Sequence, residues 1–473
     1  MRTFFVRVAF VLLVSMALAA QVQVPDTPAG RQLSNWLAAF NSGDKATYQA
    51  FLEKNYPARA GDIDHAMSFR EMTGGFDLKH AEDCGATKCS AIMQERNSEQ
   101  FGRIVVEVDP AEPHAIKSFE LRPIARPAEF SIPRMTEAEA LKAFRGYLDQ
   151  AAAADRFSGA VLVAKNGKPV FTAVYGMADR EKKTPNTLNT KFRIGSMNKM
   201  FTATAVLQLV QAGKINLTDP LGKYLTDYPN KDVASKVTIH QLLTHTGGTG
   251  DFFGPEFDKH RLELRTLQDY VKFYGQRGPS FDPGSRWEYS NYGFLLLGLV
   301  IEKASGQDYY EYVREHIFKP AGMNSTDSMP EDQAVPGRSV GYTKMKGTKE
   351  WSPNLDTLPY RGTSAGGGYS TVEDLLAFAN ALADHKLLDA RNLDLLTTGK
   401  METPGGSKYA YGFGDETSAD GIRCFGHSGG APGMNGDLKI CPQSGYVIAV
   451  LANIDPMAAG HASDFITMRL PKN

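Results

Sequence analysis

The chain has 473 residues, 42% hydrophobic and 22% charged, which is enough apolar mass for more than one folded domain and excludes a low-complexity or disordered polypeptide. Its 52 Lys and Arg offset 53 Asp and Glu to a net charge of −1, and no basic run stands out, so nucleic acid is excluded as a partner. Residues 1–20 read as a secretory signal: Arg2 and Arg7 are basic, 8–18 is apolar, and Ala17-Leu18-Ala19 offers a small-residue cleavage site. The apolar run is shorter than the about 20 residues a bilayer-spanning helix needs. No cysteine follows the cleavage site, which argues against a lipoprotein. No later segment reads as transmembrane. The mature chain is therefore expected to be soluble, in the periplasm or secreted, with no integral membrane segment after signal removal.

Residues 21–122 form the next expected unit, with helices over 32–40 and 45–55 and then strand-like runs at 75–80, 88–95, 102–109 and 115–121. Ser42-Gly43-Asp44-Lys45 has the spacing of a serine–lysine pair, but Gly43 and Asp44 read as a turn. Helices followed by a curved antiparallel sheet resemble the cone-shaped nuclear-transport-factor-like (SnoaL-like) fold. The resemblance implies an accessory module that binds or self-associates, and no catalytic constellation is visible in it.

A Pro-rich linker over 123–136 contains Pro123, Pro127 and Pro133 and ends in the capping box Thr136 to Glu139. It leads into a domain at 137–473. A hairpin opens that domain, 159–164 and 170–175 about Asn166-Gly167. Ser196-Met197-Asn198-Lys199 follows, at the head of an apolar helical stripe closed by Gly213. A serine hydroxyl needs a base to act as a nucleophile. A lysine three residues on along a helix lies one turn away on the same face. It can serve as that base once burial lowers its pKa. The bland reading of Ser196 is a helix N-cap.

Further along, His240 and His245 lie in an amphipathic stretch and read as structural. Tyr289-Ser290-Asn291 separates the turn-rich 281–285 from an apolar helix at 292–300, whereas Tyr228-Pro229-Asn230 ends in a turn and reads as a loop. Near the C-terminus, His427-Ser428-Gly429-Gly430 follows a short strand at 421–425, and strands at 436–440 and 447–451 return. Small residues there let a backbone edge approach a ligand. Gly426 to Gly430 also spells G-x-S-x-G, the nucleophile elbow of α/β-hydrolases, but no helix can follow through Ala431-Pro432-Gly433, and too little chain remains for a triad. A second match, Gly337 to Gly341, follows Pro336 rather than a buried strand. Four cysteines in an exported chain suggest two disulfides. Local pairing, Cys84 with Cys89 and Cys424 with Cys441, is preferred to the two crossed alternatives. No C-x-x-C spacing supports a metal site, and no cofactor is expected.

The three stations, in this order and at these separations, resemble the β-lactamase-related serine hydrolases from about residue 138 to 470. That superfamily holds class C β-lactamases, D-alanyl-D-alanine carboxypeptidases, D-aminopeptidases and β-lactamase-fold esterases. Leu242-Leu243-Thr244-His245-Thr246-Gly247-Gly248, Gly367-Gly368-Tyr369-Ser370-Thr371 with Asp374-Leu375, and Gly426-His427-Ser428-Gly429 add to the match. The resemblance implies an α+β, transpeptidase-like fold: an antiparallel sheet plus a helical subdomain. It implies an acyl-enzyme mechanism with Ser196 as nucleophile, Lys199 as base, Tyr289 as proton relay and Asn291 as positioner. His427, Ser428 and Gly429 would line the site on an edge strand, and the N–H groups of Ser196 and Gly430 would form the oxyanion hole. Relatives usually carry lysine where this chain has His427. Histidine is only partly charged at neutrality. An ester or peptide substrate, small molecule or D-amino-acid peptide, is therefore expected over a β-lactam. The alternative is a non-catalytic penicillin-binding-like protein that binds peptidoglycan fragments or a protein partner.

Overall fold

The computed structural model describes residues 23–344, 350–404 and 406–472. The expected signal segment lies outside the described residues. The chain divides into two compact units. One comprises the described residues up to 63 with 74–95 and 102–122, and the other 64–73, 96–101 and the chain from 123 onward.

In the smaller unit, helix α1 (Pro28–Ser42) starts with Thr27 accepting the Gly30 N–H and ends at Gly43, whose φ of 67° glycine adopts without strain. Helix α2 (Lys45–Asn55) begins at once, capped by Asp44. The chance match at Ser42 to Lys45 is thus a helix–helix turn. Strands β1 (Phe76–Cys84), β2 (Lys88–Glu95), β3 (Phe101–Val108) and β4 (Ile116–Ile124) form a sheet in that order. The indole of Trp36 on α1 lies 4.8 Å from the Phe119 ring, and Phe40 lies 5.8 Å from Phe76, so the helix's apolar stripe meets the sheet through aromatic rings. Cys84 and Cys89, paired in register, form a disulfide. Helix α3 (Ile63–Thr73) was not expected from the sequence. Its weak amphipathicity gives little periodic signal, and residues 64–73 cluster with the larger unit.

The larger unit opens with helix α4 (Glu137–Ala153), and the capping box at Thr136 and Glu139 forms as the sequence predicts. Its main sheet, among the described residues, has eight strands: β5 (Gly159–Lys165), β6 (Lys168–Tyr175), β7 (Met401–Glu402), β8 (Lys408–Tyr409), β9 (Gly414–Thr417), β10 (Arg423–Ala431), β11 (Met434–Cys441) and β12 (Tyr446–Ala452). They run antiparallel in the order β7-β8-β9-β10-β11-β12-β5-β6. Alternation along the central strands feeds two cores. Val161, Val163, Ile448 and Val450 pack with Phe144 of α4 and Ile466 of the C-terminal helix Ala458–Thr467. Ala160, Leu162, Ala449 and Leu451 pack with Met197, Phe201 and Phe378. Strands buried on both faces read as continuous apolar runs, as β5 and β12 do.

Helix α5 (Asn198–Gln211) carries Phe201 into that second core and is buried on nearly every side, the signature of a central helix. Helix α6 (Asn291–Ser305), apolar along most of its length, packs against it. Among the described residues no helix is long and apolar enough to cross a membrane.

Strand β10 departs from expectation. The sequence places a short strand at 421–425 ahead of the motif; β10 instead begins at Arg423, runs through the whole motif to Ala431 and pairs with β11 about the expected Pro432-Gly433 turn. Cys424 and Cys441 on these strands are disulfide-bonded. The glycines serve close backbone approach, as the sequence predicts of small residues here. A Cβ on Gly426 would lie 1.7 Å from the Leu438 carbonyl oxygen, and one on Gly429 would lie 1.9 Å from that of Ile194. Pairing with β9 ends at Gly426, which leaves 427–431 as a free edge beside the Ile194–Ser196 turn.

Two glycines should respond oppositely to alanine. Gly429→Ala forces backbone apart and should destabilise by about 1–3 kcal/mol or more. Gly146 lies inside α4, and nothing stands within 4 Å of the position an added methyl would take. Gly146→Ala should therefore stabilise, by about 0.5–1 kcal/mol. Thermal unfolding of both variants checks the pair of signs.

Candidate active site

Ser196 sits in a tight 3-10 turn, Gly195–Met197, immediately before α5. Gly195 has φ 52°, in the left-handed region, and the Ser196 hydroxyl makes no capping bond. Plain capping therefore does not account for this serine. Its Oγ lies 3.2 Å from Lys199 Nζ, as the one-turn spacing predicts.

Lys199 is 0% exposed. Its Nζ donates to Asn291 Oδ1 at 2.7 Å and to the Ala365 carbonyl at 2.5 Å. Asn291 cannot present its amide the other way round, because its Nδ2 donates to Asp251 Oδ2 at 2.7 Å. The Tyr289 and Phe294 rings lie 4.7 and 5.5 Å from Nζ. Burial pushes the Lys199 pKa down to about 7, and the nearby Asp251 charge only partly offsets it. A neutral amine has two hydrogens and one lone pair. With Asn291 and Ala365 taking the hydrogens, the lone pair faces the Ser196 hydroxyl.

The Tyr289 phenol lies near enough to the Ser196 side chain to interact with it. Burial raises its phenol pKa well above the usual value, so the hydroxyl stays protonated. His427 projects from β10 on the same side, 6.4 Å from Tyr289 between ring centres. Its Nδ1 donates to the Ser428 carbonyl at 2.5 Å, and its Nε2 accepts from the Tyr409 hydroxyl at 3.0 Å. Burial, with Lys199 adding repulsion, pushes the His427 pKa down to about 3. The residue is only half-buried, so water weakens the effect, but both ring nitrogens are already engaged as a neutral imidazole requires. The sequence-based expectation of a partly charged His427 is corrected accordingly.

The structure brings Ser196, Lys199, Tyr289, Asn291 and His427 together. Gly430 N lies 3.1 Å from where a Cβ on Gly195 would sit, so the backbone at Gly429 and Gly430 runs against the serine turn. Ser428 is the exception. It pairs with Asp437, and strand alternation turns its side chain to the sheet face opposite His427, where it is exposed. A cavity of about 250 Å³ beside the site is walled by Trp287, Tyr289, Tyr409, Phe425 and His427.

Sequence reasoning missed Asp251, Ala365 and Tyr409. Ala365 acts through its backbone and leaves no side-chain signal. It sits in the tight turn Thr363–Gly366, next to the Gly367-to-Thr371 segment whose Tyr369 pairs with Arg193. Asp251 directly follows Leu242 to Gly248 and Thr249-Gly250, so a search along that motif for a polar partner of Asn291 would have reached it.

Residues 144–471 match the family model described as Beta-lactamase. The Bacillus subtilis (strain 168) protein PbpX is 33% identical over 296 residues, covering 62% of this chain and 70% of its own. A solved penicillin binding protein from Bacillus halodurans is 33% identical with a TM-score of 0.61, covering 68% of this chain and 98% of that one. A solved D-stereospecific amidohydrolase from Streptomyces sp. is 29% identical with a TM-score of 0.59, covering 68% of this chain and 97% of that one. The match spans the sheet, the central helix and every residue gathered around Ser196 and Lys199: the chain belongs to the beta-lactamase family of penicillin-binding-like serine hydrolases.

Proposed function

We propose that this chain is an exported serine hydrolase that cleaves neutral esters or amides, D-amino-acid amides and peptides among them, through an acyl-enzyme. One observation carries the reading: a fully buried lysine amine, held near neutral pKa, lies within hydrogen-bond distance of the serine hydroxyl. Neutral Lys199 takes the Ser196 proton as Oγ attacks the substrate carbonyl carbon. The N–H groups of Ser196 and Gly430 stabilise the developing oxyanion. Tyr289 passes the proton to the leaving alkoxide or amine, which departs as the carbonyl re-forms. Water then attacks the acyl-enzyme by the same route in reverse and frees Ser196.

Substrate charge follows from the third motif. A permanent cation there would meet a substrate carboxylate; His427 instead spends both nitrogens on Ser428 and Tyr409. The aromatic wall of the adjoining cavity suits an apolar acyl or side-chain group. The Streptomyces amidohydrolase relative supports the amide branch. Export is supported by the basic and apolar N-terminus and by the two disulfides. Residues 21–122 would be the accessory module and 137–473 the hydrolase.

Ser196→Ala and Lys199→Ala should each abolish turnover and labelling by a fluorophosphonate probe, and the double variant should cost little beyond either. A folded wild-type chain that the probe does not label would instead favour the non-catalytic alternative.

The pH dependence has a definite sign. The base works when neutral, so kcat/KM should fall as pH drops through about 7, the Lys199 value. His427, already neutral, should add no second step between about pH 5 and 8. His427→Gln should keep activity within about fivefold, whereas His427→Lys, which cannot accept from the buried Tyr409 hydroxyl, should lose about tenfold or more. Profiles of all three proteins on one neutral ester check this.

A further inference from the structure

We propose that His245 is a positioning residue that aims Tyr289 at Ser196 by gripping the chain on both sides of it. The inference rests on reading Tyr289 as the proton relay.

The His245 carbonyl accepts the Glu288 N–H at 2.9 Å, and its ring Nδ1 accepts the Ser290 N–H at 3.1 Å. These two amides flank Tyr289, so one residue fixes the backbone immediately before and after the phenol. The imidazole also lies 4.3 Å from the Tyr289 ring, which limits its swing. Neighbouring residues reinforce the cradle: Gly248 accepts the Ser280 N–H, and Gly250 accepts the Ser290 hydroxyl.

Two costs mark His245 as more than filling. Its backbone stands at φ 59°, in the left-handed region that histidine occupies less readily than glycine. This conformation turns carbonyl and ring toward the same loop. Moreover, an accepting Nδ1 puts the ring hydrogen on Nε2, and Nε2 is buried with no hydrogen-bond partner among the described residues. The rings of Tyr289, Tyr409 and Phe294 surround the imidazole, their centres 4.3, 4.7 and 5.0 Å from its own. An aliphatic side chain would avoid the orphaned N–H. It would, however, leave the Ser290 amide, in a buried residue, without its acceptor. The acceptor is therefore the part of His245 that the site uses.

The test compares kcat/KM on two esters of one acid. The p-nitrophenyl ester releases a phenolate that needs no proton, while the ethyl ester releases an alkoxide that does. His245→Gly keeps the backbone conformation and removes the ring. His245→Asn also tolerates that conformation and places Oδ1 where Nδ1 stood. His245→Gly should lower the ethyl-to-p-nitrophenyl ratio about 10–100-fold, short of or equal to the loss in Tyr289→Phe. His245→Asn should restore the ratio to within about threefold, since it returns the acceptor. His245→Gly added to Tyr289→Phe should cost little more, because both act through one phenol. Melting curves confirm that each variant folds, and His245→Ala replaces the glycine variant if that one does not. An unchanged ratio in the folded variant, or additive losses in the double variant, overturns the inference while the wild type remains an active hydrolase. A wild type inert to both esters and to the fluorophosphonate probe overturns the hydrolase reading, and this inference with it.

Discussion

The site depends on keeping one amine out of water. Lysine in solution is a cation, and a cation cannot take a proton from serine. Helix α5 solves this by lying inside the core, so that Lys199 loses its hydration altogether. A pKa lowered from 10.5 to about 7 corresponds to roughly 5 kcal/mol of preference for the neutral form. Asp251 and the flanking aromatic faces oppose it by favouring the cation. Desolvation wins because no carboxylate touches Nζ directly: Asp251 reaches it only through the Asn291 amide.

That relay does a second job. By taking the amide hydrogens of Asn291, Asp251 turns the Asn291 carbonyl toward Lys199. With Ala365 it occupies both hydrogens of the neutral amine, and the remaining lone pair has one direction left, toward Ser196. Orientation and protonation state are thus set by the same few contacts. Loops from three parts of the chain meet at one buried nitrogen.

The sheet edge is held in place by absence of side chains. Gly429 lets β10 approach the serine turn to a distance that a Cβ would forbid, Gly195 leaves little room on the other side, and Gly426 brings β10 as close to β11. The result places β10 backbone beside the Ser196 turn without spending side chains on it. It also leaves the strand at 427–431 unpaired on the substrate side, next to an aromatic-walled cavity. The third-motif histidine completes the wall as a neutral group, its two nitrogens committed to Ser428 and Tyr409.

Local chemistry was legible in the sequence. One-turn spacing gave Ser196 and Lys199, a capping box gave the start of α4, the Asn166-Gly167 turn gave the β5–β6 hairpin, and neighbouring positions gave both cysteine pairs. Each is a relation between residues near in the chain, where spacing and geometry are the same thing. What needed the tertiary structure involves residues distant in sequence. Asp251 and Ala365 became part of the site only because folding placed them around Lys199. The extent of β10 was hidden because glycine carries little strand signal of its own, and the strand is set by what it packs against, β11 and the Ile194 turn. The neutrality of His427 and the two-sided grip of His245 were hidden for the same reason. A side chain's charge and partners are set by what surrounds it, and the surroundings of a buried histidine are chosen by the whole fold.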